Sequence, residues 1–185
     1  MSEQFFESQE ELQRQIHEAA LALKQAHFES DAIYATAESL TAGLIAASVV
    51  EIAGSSAWFD RGFVTYNNKA KQEMLGVSDF TLESHSELSL QCVAQMAQGA
   101  LQRSVARIAV AVSGVAGPDG GTAQNPVGTV YLGICRRGEC PVGQICHFQG
   151  SRQQVRLQTT LAALKALYAA SYGELSAPWQ RVNAE

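Results

Sequence analysis

The sequence predicts a single-domain α/β fold, a three-layer α/β/α sandwich around a mixed sheet. Three observations predict it. Short apolar runs of strand length alternate with helix-periodic stretches. One of these runs, Ile108 to Val112, is apolar throughout, as a central strand covered on both faces requires. A hairpin pattern late in the chain adds antiparallel pairing to an otherwise alternating order. With 185 residues and 46% hydrophobic composition, the chain can close one core and has little room for a second. The domain is expected over residues 1–172, with a loose tail at 173–185 around Pro178.

The elements follow in order. Ser8 to His27 is helical, with Leu12, Ile16, Ala19 and Leu23 at three- and four-residue steps. Ala32 to Thr36 reads as a short strand. From Leu40 to Ile52 nearly every residue is small or apolar, which suits a helix buried against a sheet, broken at Ala53-Gly54-Ser55-Ser56. Phe63 to Tyr66 is a second strand, and Asn67 to Leu75 a short helix closed by Gly76. Ser89 to Ser104 is helical, with Val93, Met96, Ala97 and Ala100 on one side. After Ile108 to Val112 comes a loop, Gly114 to Gly128, holding five glycines and two prolines. Thr129 to Cys135 and Val142 to Phe148 form a hairpin around Arg136-Arg137-Gly138-Glu139. Ser151 to Ala170 is the last helix, with Leu157, Leu161, Leu164 and Tyr168 as its buried stripe.

Charge and composition exclude several function classes. The net charge is −5, from 18 acidic against 13 basic residues, so no global field draws the chain to nucleic acid or anionic lipid. No apolar run approaches the roughly 18–20 residues of a membrane span. Met1 to Glu11 is acidic and lacks the basic-then-apolar order of a signal peptide, so a cytoplasmic protein is expected. Cys135, Cys140 and Cys146 are separated by four and five residues, unlike paired metal-binding spacing, and Cys92 stands alone. His17, His27, His85 and His147 have no metal or triad spacing. Neither metal nor cofactor is expected. Trp58 and Phe59, beside a Gly-Ser-Ser turn, are either core or an interface patch, and a homo-oligomer is expected.

The chemistry concentrates in a few segments. Ala37-Glu38-Ser39-Leu40-Thr41-Ala42-Gly43 sets a serine hydroxyl at the start of the second helix. There it serves either as a helix cap or as a nucleophile. Thr41 and Gly43 keep the first turn small, so that its free N–H groups could bind a ligand or an oxyanion. No histidine is near in sequence, but Arg61 to Lys71 offers Tyr66 and a lysine. A lysine base must be neutral, which requires its pKa to fall from about 10.4 through burial or nearby positive charge. The spacing leaves Lys69 and Lys71 both open. Tyr66 is either a proton relay or an ordinary half-buried tyrosine.

Val112 to Thr122 follows the central strand and brings Ser113, Gly114, Gly117, Gly120 and Gly121 to where ligands gather in open α/β sheets. It is neither a Walker A loop nor a dinucleotide fingerprint. Thr129 follows it. Arg152 and Arg156, one turn apart at a helix start, suit a phosphate as well as solvent. Together these residues point to a serine–lysine hydrolase of small molecules.

In combination the segments resemble the CinA C-terminal domain family, whose stand-alone members include nicotinamide mononucleotide amidohydrolases of the PncC type. The matching residues are Ala37-Glu38-Ser39 with Thr41 and Gly43, Gly54-Ser55-Ser56, and Arg61 to Tyr66 with Asn68, Ala70, Lys71, Leu75 and Gly76. They continue through Val112-Ser113-Gly114, Ala116 to Gly121, Pro126 to Val130, and Phe148, Gly150, Arg152, Val155, Arg156 and Thr159. The resemblance spans about Leu12 to Leu167. It implies hydrolysis of a nucleotide carboxamide to nicotinic acid mononucleotide and ammonia. It also implies a Ser–Lys pair at Ser39 and Lys71, and a pocket that includes Tyr66 and Ser113. Full-length members carry a further N-terminal domain for which this chain is too short.

The sequence departs from the family pattern at Ala42, where glycine is frequent, and at Asn67 and Lys69. A fourth departure is Ser86-Glu87-Leu88-Ser89, which replaces a frequent Gly-Ala-Val-Ser. An alternative expectation is therefore a catalytically silent relative that binds a nucleotide or a protein partner.

Overall fold

The computed structural model describes residues 7–183, so the first six residues of the Met1–Glu11 segment and the last two of the tail lie outside the described residues. In chain order the elements are α1 (Gln9–Ser30), β1 (Tyr34–Glu38), α2 (Leu44–Val50), a 3₁₀ turn (Ser55–Ala57), β2 (Phe59–Val64), α3 (Asn68–Leu75), α4 (Asp79–His85), α5 (Leu90–Gln102), β3 (Ile108–Gly114), β4 (Thr129–Arg136), β5 (Val142–His147), α6 (Arg152–Ser171) and β6 (Gln180–Arg181). The six strands form one mixed sheet in the order β2-β1-β3-β4-β5-β6. β1 pairs parallel with both β2 and β3, and the remaining pairings are antiparallel.

Alternation along β3 explains the layers. Ile108, Val110 and Val112 face one side with Tyr34, Leu132 and Ile134, and there the apolar stripes of α1, α2 and α6 cover them. Ala109 and Ala111 face the other side, with Ala35, Ala37 and Cys135, under Val93, Met96, Ala97 and Ala100 of α5. Small residues on that face let α5 approach closely. At Gly133 an added Cβ would stand 2.6 Å from the Val93 carbonyl oxygen.

Helix starts are locally encoded. Ser8, Asn67, Ser78, Ser89 and Ser151 each accept a backbone N–H three residues on, and Ser151 completes a capping box with Gln154. Gly76 ends α3 at φ 75.

The structure departs from the sequence expectations in five places. α2 begins at Leu44 rather than Leu40, because Ala42 (φ 51) and Gly43 (φ 91) are left-handed and hold Ser39 to Gly43 as a turn. β2 begins at Phe59, before the expected Phe63. Asp60 and Arg61 mark it as a charged edge strand, which hides the apolar pattern. α4, whose only fully buried residue is Thr81, shows no amphipathic stripe and was not anticipated. Tyr168 is 39% exposed and lies edge-on to Tyr172, so Leu167, fully buried, takes its expected place in the stripe. The tail is not loose: β6 pairs with β5, and Leu175, Trp179 and Val182 pack onto the core.

Trp58 is 1% exposed and edge-on to Tyr34, which makes it core. Among the described residues, no helix is long and apolar enough to cross a membrane.

Candidate active site

Three parallel strands end at the same edge of the sheet, and their C-terminal residues lead into the site. β1 passes into Ser39, β2 into Thr65 and Tyr66, and β3 ends in Ser113 and Gly114. A cavity of about 300 Å³ opens there. Its wall includes Ser39, Tyr66 and Lys71 on one side and Ser113, Gly117, Gly120 and Arg152 on the other.

Ser39 is not the helix cap that its position suggests. The buried Glu38 carboxylate takes that role, accepting the N–H groups of Gly43 (2.9 Å), Ile45 (3.1 Å) and Ala46 (2.9 Å) as well as the Thr36 hydroxyl (3.0 Å). Negative charge at a helix N-terminus is favourable, and four donors offset the cost of burying it. The consequence for the site is direct. The α2 N–H groups expected to face a ligand are occupied, while Ser39 Oγ is left for other work. The backbone N–H groups of Leu40 and Thr41, directly after Ser39, make no hydrogen bond among the described residues.

Lys71 projects from α3 under Ser39 and is 1% exposed. Its Nζ lies 3.3 Å from Ser39 Oγ, 3.1 Å from the Thr65 carbonyl oxygen and 3.4 Å from that of Tyr66. Ser39 Oγ is itself 3.5 Å from the Tyr66 carbonyl oxygen. No carboxylate pairs with this amine among the described residues. Burial pushes Lys71 below the ordinary lysine value, opposed by Cys92 and Glu87. The Cys92 thiol is itself pushed up to about 12 by burial, so it carries no charge near neutrality and only Glu87 opposes the shift. A neutral amine has two N–H donors and one lone pair. The two carbonyls around Nζ take those donors when the Ser39 hydroxyl turns toward the lone pair, whereas an ammonium donates to all three oxygens. Lys69, by contrast, lies on the exposed face of α3 beside Glu73, 3.6 Å away.

The remaining sequence candidates divide into two groups. Ser113, Gly114, Gly117, Gly120 and Arg152 line the cavity, and Arg152 also donates to the Gly117 carbonyl at 2.8 Å. Thr41, Gly43, Gly121, Thr129 and Arg156 do not line it. Arg156 donates to the carbonyls of Leu40 (3.0 Å) and Thr41 (2.9 Å), holding the turn that carries Ser39. The Thr129 carbonyl accepts the Val115 N–H, which anchors the glycine loop. Thr41 Oγ1 is buried without a partner. The Tyr66 side chain is 63% exposed at the rim, and its backbone carbonyl makes the closer contact with the pair.

Sequence reasoning missed Asp119, Leu40, Leu88, Val115 and Ala116 as wall residues, and took Glu87 only as a departure from the family pattern. The spacing of apolar residues carries no signal for any of them, since all lie in turns or loops.

Fold and site together define a class: an α/β/α sandwich with a serine–lysine pair under a glycine-rich loop, at the carboxyl edge of its parallel strands. The chain belongs to the CinA C-terminal domain family, whose model matches residues 7–171. Among curated relatives, the nicotinamide-nucleotide amidohydrolase PncC of Enterobacter agglomerans is 46% identical over 153 residues, covering 83% of this chain and 93% of that protein. The protein of the same name from Escherichia coli strain K12 is 50% identical over 134 residues, covering 72% and 81%. Among solved structures, the competence/damage inducible protein CihA of Agrobacterium tumefaciens superposes with a TM-score of 0.81 at 44% identity, covering 91% of this chain and 98% of that one.

Proposed function

We propose that this chain hydrolyses the carboxamide of nicotinamide mononucleotide to the carboxylate and ammonia, with Ser39 as nucleophile and Lys71 as its base. One observation carries the proposal. A desolvated lysine amine, free of any carboxylate partner among the described residues, touches the hydroxyl of Ser39 in a cavity that the glycine loop and Arg152 also line. The relatives named for this activity support the choice of substrate.

Ser39 Oγ passes its proton to the neutral Lys71 Nζ as it bonds to the carboxamide carbon. The unpaired N–H groups of Leu40 and Thr41 are the donors assigned to the resulting oxyanion. The C–N bond breaks, and Lys71 returns the proton to the leaving nitrogen, releasing ammonia. A water molecule then attacks the acyl-serine ester with one proton going to Lys71 and from there back to Ser39, and the carboxylic acid product leaves and gives its remaining proton to solvent. Arg152 and the glycine loop are assigned to the phosphate.

A cytoplasmic location is part of the proposal, supported by a substrate whose phosphate keeps it from crossing a bilayer unaided. Assembly into a homo-oligomer is part of the proposal, supported by exposed Val64 and Tyr66 beside the edge strand β2.

The test is ammonia release from nicotinamide mononucleotide by wild type and by Ser39→Ala, with a chelator present. Turnover by wild type, with a loss of at least about 1,000-fold in the variant, is expected. Binding without turnover in wild type would replace the enzyme with a nucleotide-binding relative.

A further inference from the structure

The α4–α5 turn carries a charged group with no role in the steps above. Ser86 closes α4 at φ 66, a left-handed conformation that L side chains disfavour. Its own hydrogen bonds hold it there: its Oγ accepts the Leu88 N–H at 3.1 Å, and its carbonyl accepts the Ser89 hydroxyl at 2.8 Å. Backbone strain of this kind persists where the surrounding contacts fix it, and it gathers at functional sites. Here it delivers Glu87 and Leu88 to the wall of the Ser39–Lys71 cavity.

The Glu87 carboxylate has no hydrogen-bond or ion-pair partner among the described residues. It acts on Lys71 through charge alone, without pairing to it. An unpaired carboxylate in this wall would repel the phosphate of a nucleotide. Among the described residues the wall holds one guanidinium, that of Arg152, tied at Gly117 to the glycine loop that also carries the wall's second carboxylate, Asp119; no guanidinium comes to the α4–α5 turn. The cavity therefore suits a ligand with an anionic group near Arg152 and a cationic group near Glu87.

We propose that Glu87 is a specificity residue that holds the cationic pyridinium ring of a nicotinamide nucleotide beside Ser39, favouring the oxidised ring over its neutral dihydro form. The inference rests on the substrate proposed above. In that substrate the positive nitrogen lies in the same ring as the carbon bearing the carboxamide, so the charge travels with the scissile group to the serine. The oxidised and dihydro nucleotides are close in size and share the phosphate and carboxamide. Charge is the main difference between them that a carboxylate reads. Leu88, next to Glu87 in the wall, offers apolar surface to either ring.

The experiment measures dissociation constants of oxidised and reduced nicotinamide mononucleotide by calorimetry, in a Ser39→Ala background that does not turn them over. The Glu87-containing protein should bind the oxidised form about five-fold more tightly, the upper range for a solvent-reached charge pair. Adding Glu87→Gln should bring the two constants together, chiefly by weakening the oxidised form. In the Ser39-containing enzyme, at a pH above the Lys71 limb, Glu87→Gln should raise KM for the oxidised nucleotide about five-fold with kcat little changed. If the ratio survives Glu87→Gln while both forms still bind, the inference is overturned and the substrate proposal stands. A fall in kcat with the binding ratio unchanged would also overturn it, by showing that Glu87 acts through Lys71. If neither form binds to protein that melts cooperatively, both the inference and the substrate proposal fail.

Discussion

Lys71 is the residue on which the chemistry turns, and its surroundings set a pH dependence of known sign. Burial lowers it from the ordinary 10.5, and Glu87 is the one nearby charge that opposes this near neutrality. kcat/KM should therefore rise with pH along a limb whose apparent pKa lies below 10.5, as the ammonium gives way to the amine that accepts the Ser39 proton. Glu87→Gln removes a charge that favours the ammonium and should move that limb to lower pH. Lys71→Met should abolish the limb and lower kcat/KM by at least about 100-fold. Stability should follow the same proton. Between the folded value and 10.5 the unfolded chain holds more protons, so stability increases as pH rises toward 10.5 and is lost as pH falls through the folded value. Lys71→Met should lack this component. A limb that survives in Lys71→Met would assign it to another group. The departures at Ala42 and Asn67 leave the cavity wall untouched, though Ala42 holds a left-handed φ of 51 that glycine adopts more readily. Ala42 is exposed outside the cavity wall, and Asn67 caps α3 through the Ala70 N–H at 2.8 Å.

At the scale of the element, the start of α2 shows where sequence reading stops. The serine and asparagine caps of α1, α3, α5 and α6 are legible because each acts on a backbone N–H three residues away, and the stripes of α1 and α5 follow from period alone. Ser39, a lysine at either position 69 or 71, and the glycine loop are also legible as residue types that a hydrolase needs, and only the family resemblance selects Lys71. The Glu38 cap was not, because it works across a turn of five residues whose left-handed Ala42 and Gly43 are not encoded in apolar spacing. Nor does sequence reveal that Arg156 holds this turn from a helix more than a hundred residues away. Glu38→Ala should lower unfolding free energy by about 3 kcal/mol, since it leaves buried N–H groups without their charged acceptor. Glu38→Gln, which keeps one carbonyl oxygen, should cost about 1–2 kcal/mol. Both should reduce kcat, because the turn that aims Ser39 loosens with its cap. Urea unfolding and steady-state rates on the same preparations test this. A loss under about 0.5 kcal/mol for Glu38→Ala would mean that water replaces the carboxylate and that α2 does not depend on it.

Over the whole molecule, the mixed sheet divides the labour between its two ends. The parallel strands β2, β1 and β3 release their C-termini at the end that holds Ser39, Tyr66 and Ser113. The antiparallel half runs from Ser113 opposite Tyr131 and Tyr131 opposite Ile145 down to Val142 and Gly143, where the tail pairs through Arg181 and Gln180. The tail thus closes the sheet at the end away from the catalytic pair. Period and propensity give no strand there because Pro178 interrupts the alternation of Leu175, Ala177 and Trp179 and the β6 pair Gln180-Arg181 is polar, which leaves Leu175, Trp179 and Val182 as the tail's large apolar residues. Those three side chains nevertheless cover core that would otherwise meet water, and β6 covers part of the outer edge of β5. Ending the chain after Gly173 should therefore cost about 2–3 kcal/mol, chiefly from apolar surface returned to solvent. In a chain of this size that corresponds to a fall of roughly 5–10 °C in melting temperature. KM and kcat below the new melting point should be unchanged, because no described tail residue reaches the cavity that contains Ser39. Calorimetry and ammonia release on the truncated protein separate the two effects. A loss of turnover without a matching loss of stability would give the tail a part in the site, against the division between the two ends of the sheet.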